Sequence, residues 1–290
     1  MSISIIIPAK NEQEGLQRLL PELVQRYSDA EIIVVNDGSD DDTVKVAEEN
    51  NTDVMISHPY SMGNGAAVKT GARTASGDIL VFMDADGQHS PKDIQKLLDK
   101  IEEGYDMVVG SRDNSGQANL GRLFANRLYN FLATRISGHS IMDLTSGFRA
   151  VRADVFRQFL YLLPNGFSYP TSITMAFFRA GYSVTYVPID VKIRIGKSHL
   201  RPIRDGIRFL LIIFKIGTLY SPLKIFVPVS FLFFVTGLSY YAYTYITMSR
   251  FTNMSALLFI SSILVFMIGL VSEQVTTLMY SNIDKRDDDS

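Results

Sequence analysis

The sequence contains no cysteine, which excludes disulfides and thiolate metal sites. Its formal charge is only −2 over 290 residues, so nothing in the charge balance points to a nucleic-acid partner. The stretch MSISIIIPAK has neither a basic leader nor a long apolar core, and no secretory signal is expected there. Phosphate-loop signatures are missing too. In MGNGAAVKTG, Lys69-Thr70 follows Val68 instead of glycine, and Gly63-x-Gly65 lacks a third glycine, so neither a Walker motif nor a dinucleotide fingerprint is present. Gly63 and Gly65 read as a tight turn opening a helix, with Lys69 reaching toward phosphate. There is no internal repeat, and the acidic run Asp287-Asp288-Asp289 reads as a solvated end.

What is present is unevenly spread. Hydrophobic residues make up 47% of the chain, and Ile225–Met248 and Met254–Ser272 are charge-free apolar runs of the length that spans a bilayer. Two membrane helices follow, joined by the tight linker Ser249-Arg250-Phe251-Thr252-Asn253. Arg194, Lys197, Arg201, Arg204, Arg208, Lys215 and Lys224 precede the first run and Lys285 and Arg286 follow the second, while Arg250 alone lies between. That bias places both termini and the large N-terminal domain on the cytoplasmic side. Just before the spans, Arg201, Arg204, Arg208 and Lys215 fall on one helical arc. Ile203, Ile207, Leu210, Ile213 and Phe214 point mostly the other way, the pattern of an amphipathic helix lying among lipid headgroups. Glu273 and Gln274, polar for their depth, hint at helix–helix contact inside a homo-oligomer.

In the first 198 residues, short apolar runs alternate with longer helical patterns. Ser4–Ile7, Glu31–Val35, Val54–Ile56, Ile79–Met83 and Met107–Val109 read as strands; Glu12–Tyr27, Asp42–Asn50, Gly65–Ala75 and Pro91–Glu103 read as helices. The expected fold is α/β with a mostly parallel sheet, and ligands in such sheets bind beyond the carboxyl ends of the strands. Polar clusters stand at those ends: Pro8-Ala9-Lys10-Asn11-Glu12, Asn36-Asp37-Gly38-Ser39-Asp40 and Asp84-Ala85-Asp86. A carboxylate leaving a buried strand needs a partner or a metal. Taken alone, Asp84 and Asp86 could hold a cation or merely precede a helix capped by Ser90 before Pro91.

PAKNE, VNDGSDDDT, DADGQH, VVGSR and LTSGFRA occur in this order. With them the chain resembles the family-2 glycosyltransferases of GT-A fold, and within these the polyprenyl-phosphate branch of dolichyl-phosphate mannose synthases and bacterial polyprenyl-phosphate glucosyltransferases. The resemblance covers nearly the whole chain. It implies a GT-A catalytic domain over 1–198, an amphipathic juxtamembrane region over 199–222, two transmembrane helices over 223–280 and a polar tail over 281–290.

By that similarity Asp84, Asp86 and Gln88 would hold Mg2+ or Mn2+ against the diphosphate of a nucleotide-sugar, Asp86 counting as catalytic, and hard oxygen ligands suit those ions. His89 is left as a surface histidine. Pro8, Asn11, Glu12 and Asp37 would contact the nucleotide, with Asp84 beside its diphosphate. Two departures from the family pattern, Asn36 in place of an Asp and Lys10 in place of an aromatic, leave the base open. Arg112, also expected to be catalytic, would bind the lipid phosphate with Arg122 and Asn126, four apart on a helix over Leu120–Arg135. Ser146 and Arg149, with Asp143 just before, belong to the acceptor-side loop. Lys197 and Ser198 look like a mobile diphosphate clamp.

The implied reaction is inverting transfer of a sugar from a nucleoside-diphosphate sugar to an undecaprenyl or dolichyl phosphate. UDP-glucose or UDP-N-acetylglucosamine is favoured by the two-span resemblance to the bacterial glucosyl branch. GDP-mannose is the alternative donor, and an inactive membrane scaffold the alternative class. A processive polysaccharide synthase is disfavoured, because its Gln-x-x-Arg-Trp motif needs a tryptophan and this chain has none.

Overall fold

The computed structural model describes residues 1–50, 52–112, 130–135, 137–166, 168–190, 214 and 217–287, with 281–287 as backbone alone. The chain divides into two compact units, Met1–Thr134 with His139–Arg201, and Arg135–Gly138 with Pro202–Ser290.

The first unit is built on one seven-stranded sheet of β1 (Ile3–Ala9), β2 (Glu31–Asn36), β3 (Val54–Ser57), β4 (Ile79–Phe82), β5 (Met107–Arg112), β6 (Arg149–Arg152) and β7 (Val184–Ile189). Its order is β3-β2-β1-β4-β6-β5-β7. Every pairing is parallel except those of β6, which runs antiparallel to β4 and β5. The mostly parallel α/β sheet is the expected one. Its five N-terminal strands lie where the apolar runs lie; β1, β2, β4 and β5 are buried almost throughout, as uninterrupted apolar runs in a parallel sheet should be, while β3 is a part-exposed edge strand. Every residue of β1 and β2 after the first is buried.

Helices cover both faces. Ile5, Ile7, Val34 and Val81 share one core with Leu16, Leu19 and Leu23 of α1 (Gln13–Arg26), Val46 and Ala47 of α2 (Thr43–Glu49), and Leu97 and Ile101 of α4 (Ile94–Glu102). α3 (Asn64–Thr74) packs on β1 and β2. Three features lie outside the sequence pattern: β6 with α5 (Ala153–Gln158), α6 (Tyr169–Arg179), and β7. The start of the helix after Asp86 also differs from expectation. Pro91–Asp93 is a 3-10 turn, and Ser90 makes no side-chain cap; its carbonyl accepts the Asp93 N–H at 3.0 Å.

In the second unit, α7 (Pro222–Met248) and α8 (Asn253–Asp287) are long and apolar enough to cross a membrane, with mean hydropathy 1.7 and 2.5 in their most apolar stretches. Both extend past the charge-free runs, because polar residues continue the helices where the apolar pattern stops. Ser249 turns the chain with φ 50° and donates its N–H to the Tyr245 carbonyl at 2.9 Å. Ser230 and Ser262 each donate a hydroxyl to the other's carbonyl at 2.9 Å, a polar pairing that suits an apolar surround. Glu273 accepts the Leu223 N–H at 3.5 Å, so this polar residue has a partner within its own hairpin.

Candidate active site

Sheet order sets the carboxyl ends of β2, β1 and β4 side by side. Because β6 runs the other way, its amino end joins them. A cleft of about 440 Å³ lies along this edge. Pro8, Glu12, Asp37, Asp84, Asp86 and Gln88 line it from the parallel strands, and Thr145, Gly147, Tyr169 and Pro170 from the segment around β6. Thr145 and Gly147 belong to the LTSGFRA motif without standing out in it, and Tyr169 and Pro170 lie in no motif. All four reach the cleft only because β6 enters the sheet beside β4.

Asp37 is buried, and protein groups saturate it. Its Oδ1 takes His58 Nδ1 at 2.8 Å and the Met62 N–H at 2.7 Å; its Oδ2 takes the Ser61 hydroxyl and the Gly63 N–H, both at 2.8 Å. An ionised carboxylate offers about four acceptor sites, so none is left over. Burial alone would push this carboxyl up, but the bonds from His58, Met62, Gly63 and Ser61 outweigh it and hold the pKa below the ordinary value. Asp37 therefore shapes the loop that leads through Gly63, at φ 103°, into α3. Asn11 plays a similar part in front of α1. At φ 54° it receives the Asp40 N–H on its Oδ1 at 2.8 Å and gives its own N–H to Ser39 Oγ at 2.9 Å. Lys69 turns away from phosphate duty, bonding the Leu163 carbonyl at 3.1 Å and the Asn165 side chain.

Asp84, Asp86 and Gln88 share one wall of the cleft, and the Gln88 N–H donates to Asp86 Oδ1 at 3.1 Å. Two carboxylates and an amide oxygen form a hard donor set, which fits Mg2+ or Mn2+ that also keep phosphate and water ligands. Among the described residues no three His, Cys, Asp or Glu gather around one point. A cation held here would therefore share its shell with a bound phosphate.

His89 is not at the surface, contrary to expectation. It is 7% exposed and stacks on Phe148 with ring centroids 4.9 Å apart and planes 14° apart. Burial pushes the imidazole down to about 4, against the pull of Asp86. It is a neutral ring at pH 7, held in place by the Phe148 ring.

Arg112, at the end of β5, forks onto Asp143 through Nε at 2.8 Å and one terminal nitrogen at 3.2 Å, and reaches Thr145 Oγ1 at 2.7 Å. Asp143 also accepts the Thr145 and Ser146 amides at 3.0 and 3.1 Å. Burial opposes both charges. For each residue, hydrogen bonding and attraction to the other outweigh burial, raising Arg112 and lowering Asp143. Asp143→Ala should strand the Arg112 charge and two amides, costing about 2–4 kcal/mol in a thermal melt. In an Arg112→Leu background the same change should cost clearly less, because the stranded charge is gone. Equal costs in the two backgrounds would show that the pair is not coupled.

Ser146 and Arg149 do not face the cleft. Ser146 is 3% exposed and Arg149 is 0% exposed, beneath α6. Arg149 donates to the Pro170 carbonyl and Thr174 Oγ1, both at 3.2 Å, and to the Ser146 carbonyl. Asp143 gathers the Thr145 and Ser146 amides into a turn, from which Thr145 and Gly147 line the cleft while Ser146 is buried. Arg122, Asn126, Lys197 and Ser198 lie outside the described residues, as does the basic arc from Arg201 to Lys215.

Residues 4–160 match the family model described as Glycosyl transferase family 2, and residues 221–278 match the GtrB C-terminal hairpin. Glycosyltransferase AglJ of Haloferax volcanii is 28% identical over 294 residues, 96% of this chain and 94% of that one. The undecaprenyl-phosphate 4-deoxy-4-formamido-L-arabinose transferase of Proteus mirabilis is 34% identical over 162 residues, 53% of this chain; the match spans about half, 49%, of the relative's own length. Among solved structures, glucosyl-3-phosphoglycerate synthase of Mycobacterium tuberculosis, in complex with phosphoglyceric acid, superposes with a TM-score of 0.60. The identity is 21%, over 74% of this chain and 80% of that one, a likeness of fold. A further structure of that synthase contains Mn2+ and UDP.

Proposed function

Because this chain belongs to glycosyl transferase family 2, we propose that it moves a sugar from a nucleoside-diphosphate sugar to the phosphate of a membrane polyprenyl phosphate, with inversion. The observation that carries the reading is one cleft in which Asp84, Asp86 and Gln88 face the exits of β1 and β2, in a chain that continues into a two-helix hairpin. The curated relatives whose names include undecaprenyl phosphate support the acceptor class.

Asp84, Asp86 and Gln88 would hold a Mg2+ or Mn2+ ion, which when bound offsets the charge of a diphosphate leaving group. Pro8 and Glu12 border the space for the nucleotide, and the saturated Asp37 holds the loop beside it. Arg112, aligned by Asp143, with Arg122 and Asn126, receives the lipid phosphate; Lys197 and Ser198 close over the diphosphate. A phosphate oxygen is already anionic near neutral pH, so the chain need not supply a general base. Its task is to align the nucleophile in line with the leaving group and to exclude water. The hairpin anchors the domain at the cytoplasmic face, where the acceptor's phosphate lies.

The test is transfer from radiolabelled UDP- and GDP-sugars to undecaprenyl and dolichyl phosphate in detergent with Mn2+. UDP-glucose or UDP-N-acetylglucosamine is the expected donor. Label from GDP-mannose alone would instead assign a mannose synthase, and a product with retained anomeric configuration would sink the inverting scheme. Folded protein that labels no lipid from any donor would favour a scaffold.

A further inference from the structure

The structure assigns Gly147 a positioning role: its missing side chain is the space that the Asp84 carboxylate occupies. A Cβ built on Gly147 would lie 2.9 Å from Asp84 Oδ2 and 3.2 Å from Oδ1, closer than ordinary van der Waals contact. The loop that carries Asp84 has no room to retreat. Behind it, the Ala85 carbonyl is pressed against Gly15 of α1, where a Cβ would come within 1.9 Å of the oxygen. In front, the Met83 N–H is bonded to the Ile6 carbonyl at 3.1 Å. A methyl at position 147 would therefore be accommodated by rotation of the Asp84 side chain, with the backbone staying in place. Rotation costs the fold little, because the clashing atoms are the end of a flexible side chain. It would move a carboxylate oxygen away from the cation that Asp84 would share with Asp86 and Gln88. Gly147 thus sets where the Asp84 carboxylate can stand.

This inference rests on the metal reading proposed above, and its test separates the two. Mn2+ binding to the full-length protein in detergent is followed by electron paramagnetic resonance of the free ion, with and without UDP, for wild type, Gly147→Ala and the control Gly166→Ala, whose Cβ would meet nothing within 4 Å. Gly147→Ala is expected to bind Mn2+ about tenfold more weakly, the size of effect seen when a residue that orients a metal ligand is changed. Its melting temperature should stay close to wild type, and Gly166→Ala should match wild type in both. Wild type that binds no Mn2+ would overturn the metal reading and this role with it. Wild type that binds, beside Gly147→Ala that binds equally well, would overturn the positioning role alone. Should Gly147→Ala fail to fold, the Asp84→Ala/Gly147→Ala double variant decides: recovered folding places the clash at the Asp84 carboxylate, and continued failure refutes it.

Discussion

Asp86→Ala is expected to lower sugar transfer by about a thousandfold while leaving the melting temperature nearly unchanged. Loss of a metal ligand removes several kcal/mol of stabilisation from the charge that builds on the leaving diphosphate, and about 4 kcal/mol corresponds to that factor. The fold should be indifferent. Asp86 is part-exposed at the cleft, beside the part-exposed Gln88 whose amide it accepts. Asp84→Ala should behave alike, and raising Mn2+ should restore part of the rate of either variant if weakened metal binding is the cause. Rates within tenfold of wild type at low Mn2+ would remove Asp86 from the proposed site.

Asp37→Ala is expected to act in the opposite sense, on stability first. It leaves His58, the Ser61 hydroxyl and two backbone N–H groups without their acceptor. At about 1 kcal/mol or more for each stranded donor, the loss is at least about 4 kcal/mol, a large share of the stability of an ordinary domain. Asp37→Asn should recover only part of it, since the amide places its own N–H groups against two of those donors. The same bonds predict acid sensitivity. The folded pKa of Asp37 lies below the ordinary value of 3.8, so its contribution is fully present above that value and is lost as pH falls through the lower folded value. A denaturation midpoint that falls as the pH is taken below the ordinary value of 3.8 in wild type, and falls less in Asp37→Ala, is the expected result.

These two aspartates look alike in the sequence, each at a strand exit and each amid polar residues. Their roles divide on partners. Asp86 stands part-exposed at the cleft and accepts the amide of Gln88, two residues on. The donors of Asp37 come from residues 21 to 26 positions later. No period or spacing reports a bond of that reach. His89 misleads for a related reason: a histidine after a polar loop reads as exposed until Phe148, brought in by β6, covers its ring.

The sequence by itself determined the features that depend on neighbours along the chain. Uninterrupted apolar runs could only be buried strands or spans, acids at their ends could only be sites or caps, and an ordered set of five motifs marked the family. Tertiary structure alone decided which of these residues meet. Antiparallel entry of β6 beside β4 carried Thr145 and Gly147 to the cleft, turned Ser146 and Arg149 inward, and set the Arg112–Asp143 fork. Strand pairing joins residues about 70 positions apart, as Phe82 and Arg149 show. Such pairing is chosen by the packing of the whole sheet, which no local stretch of sequence encodes.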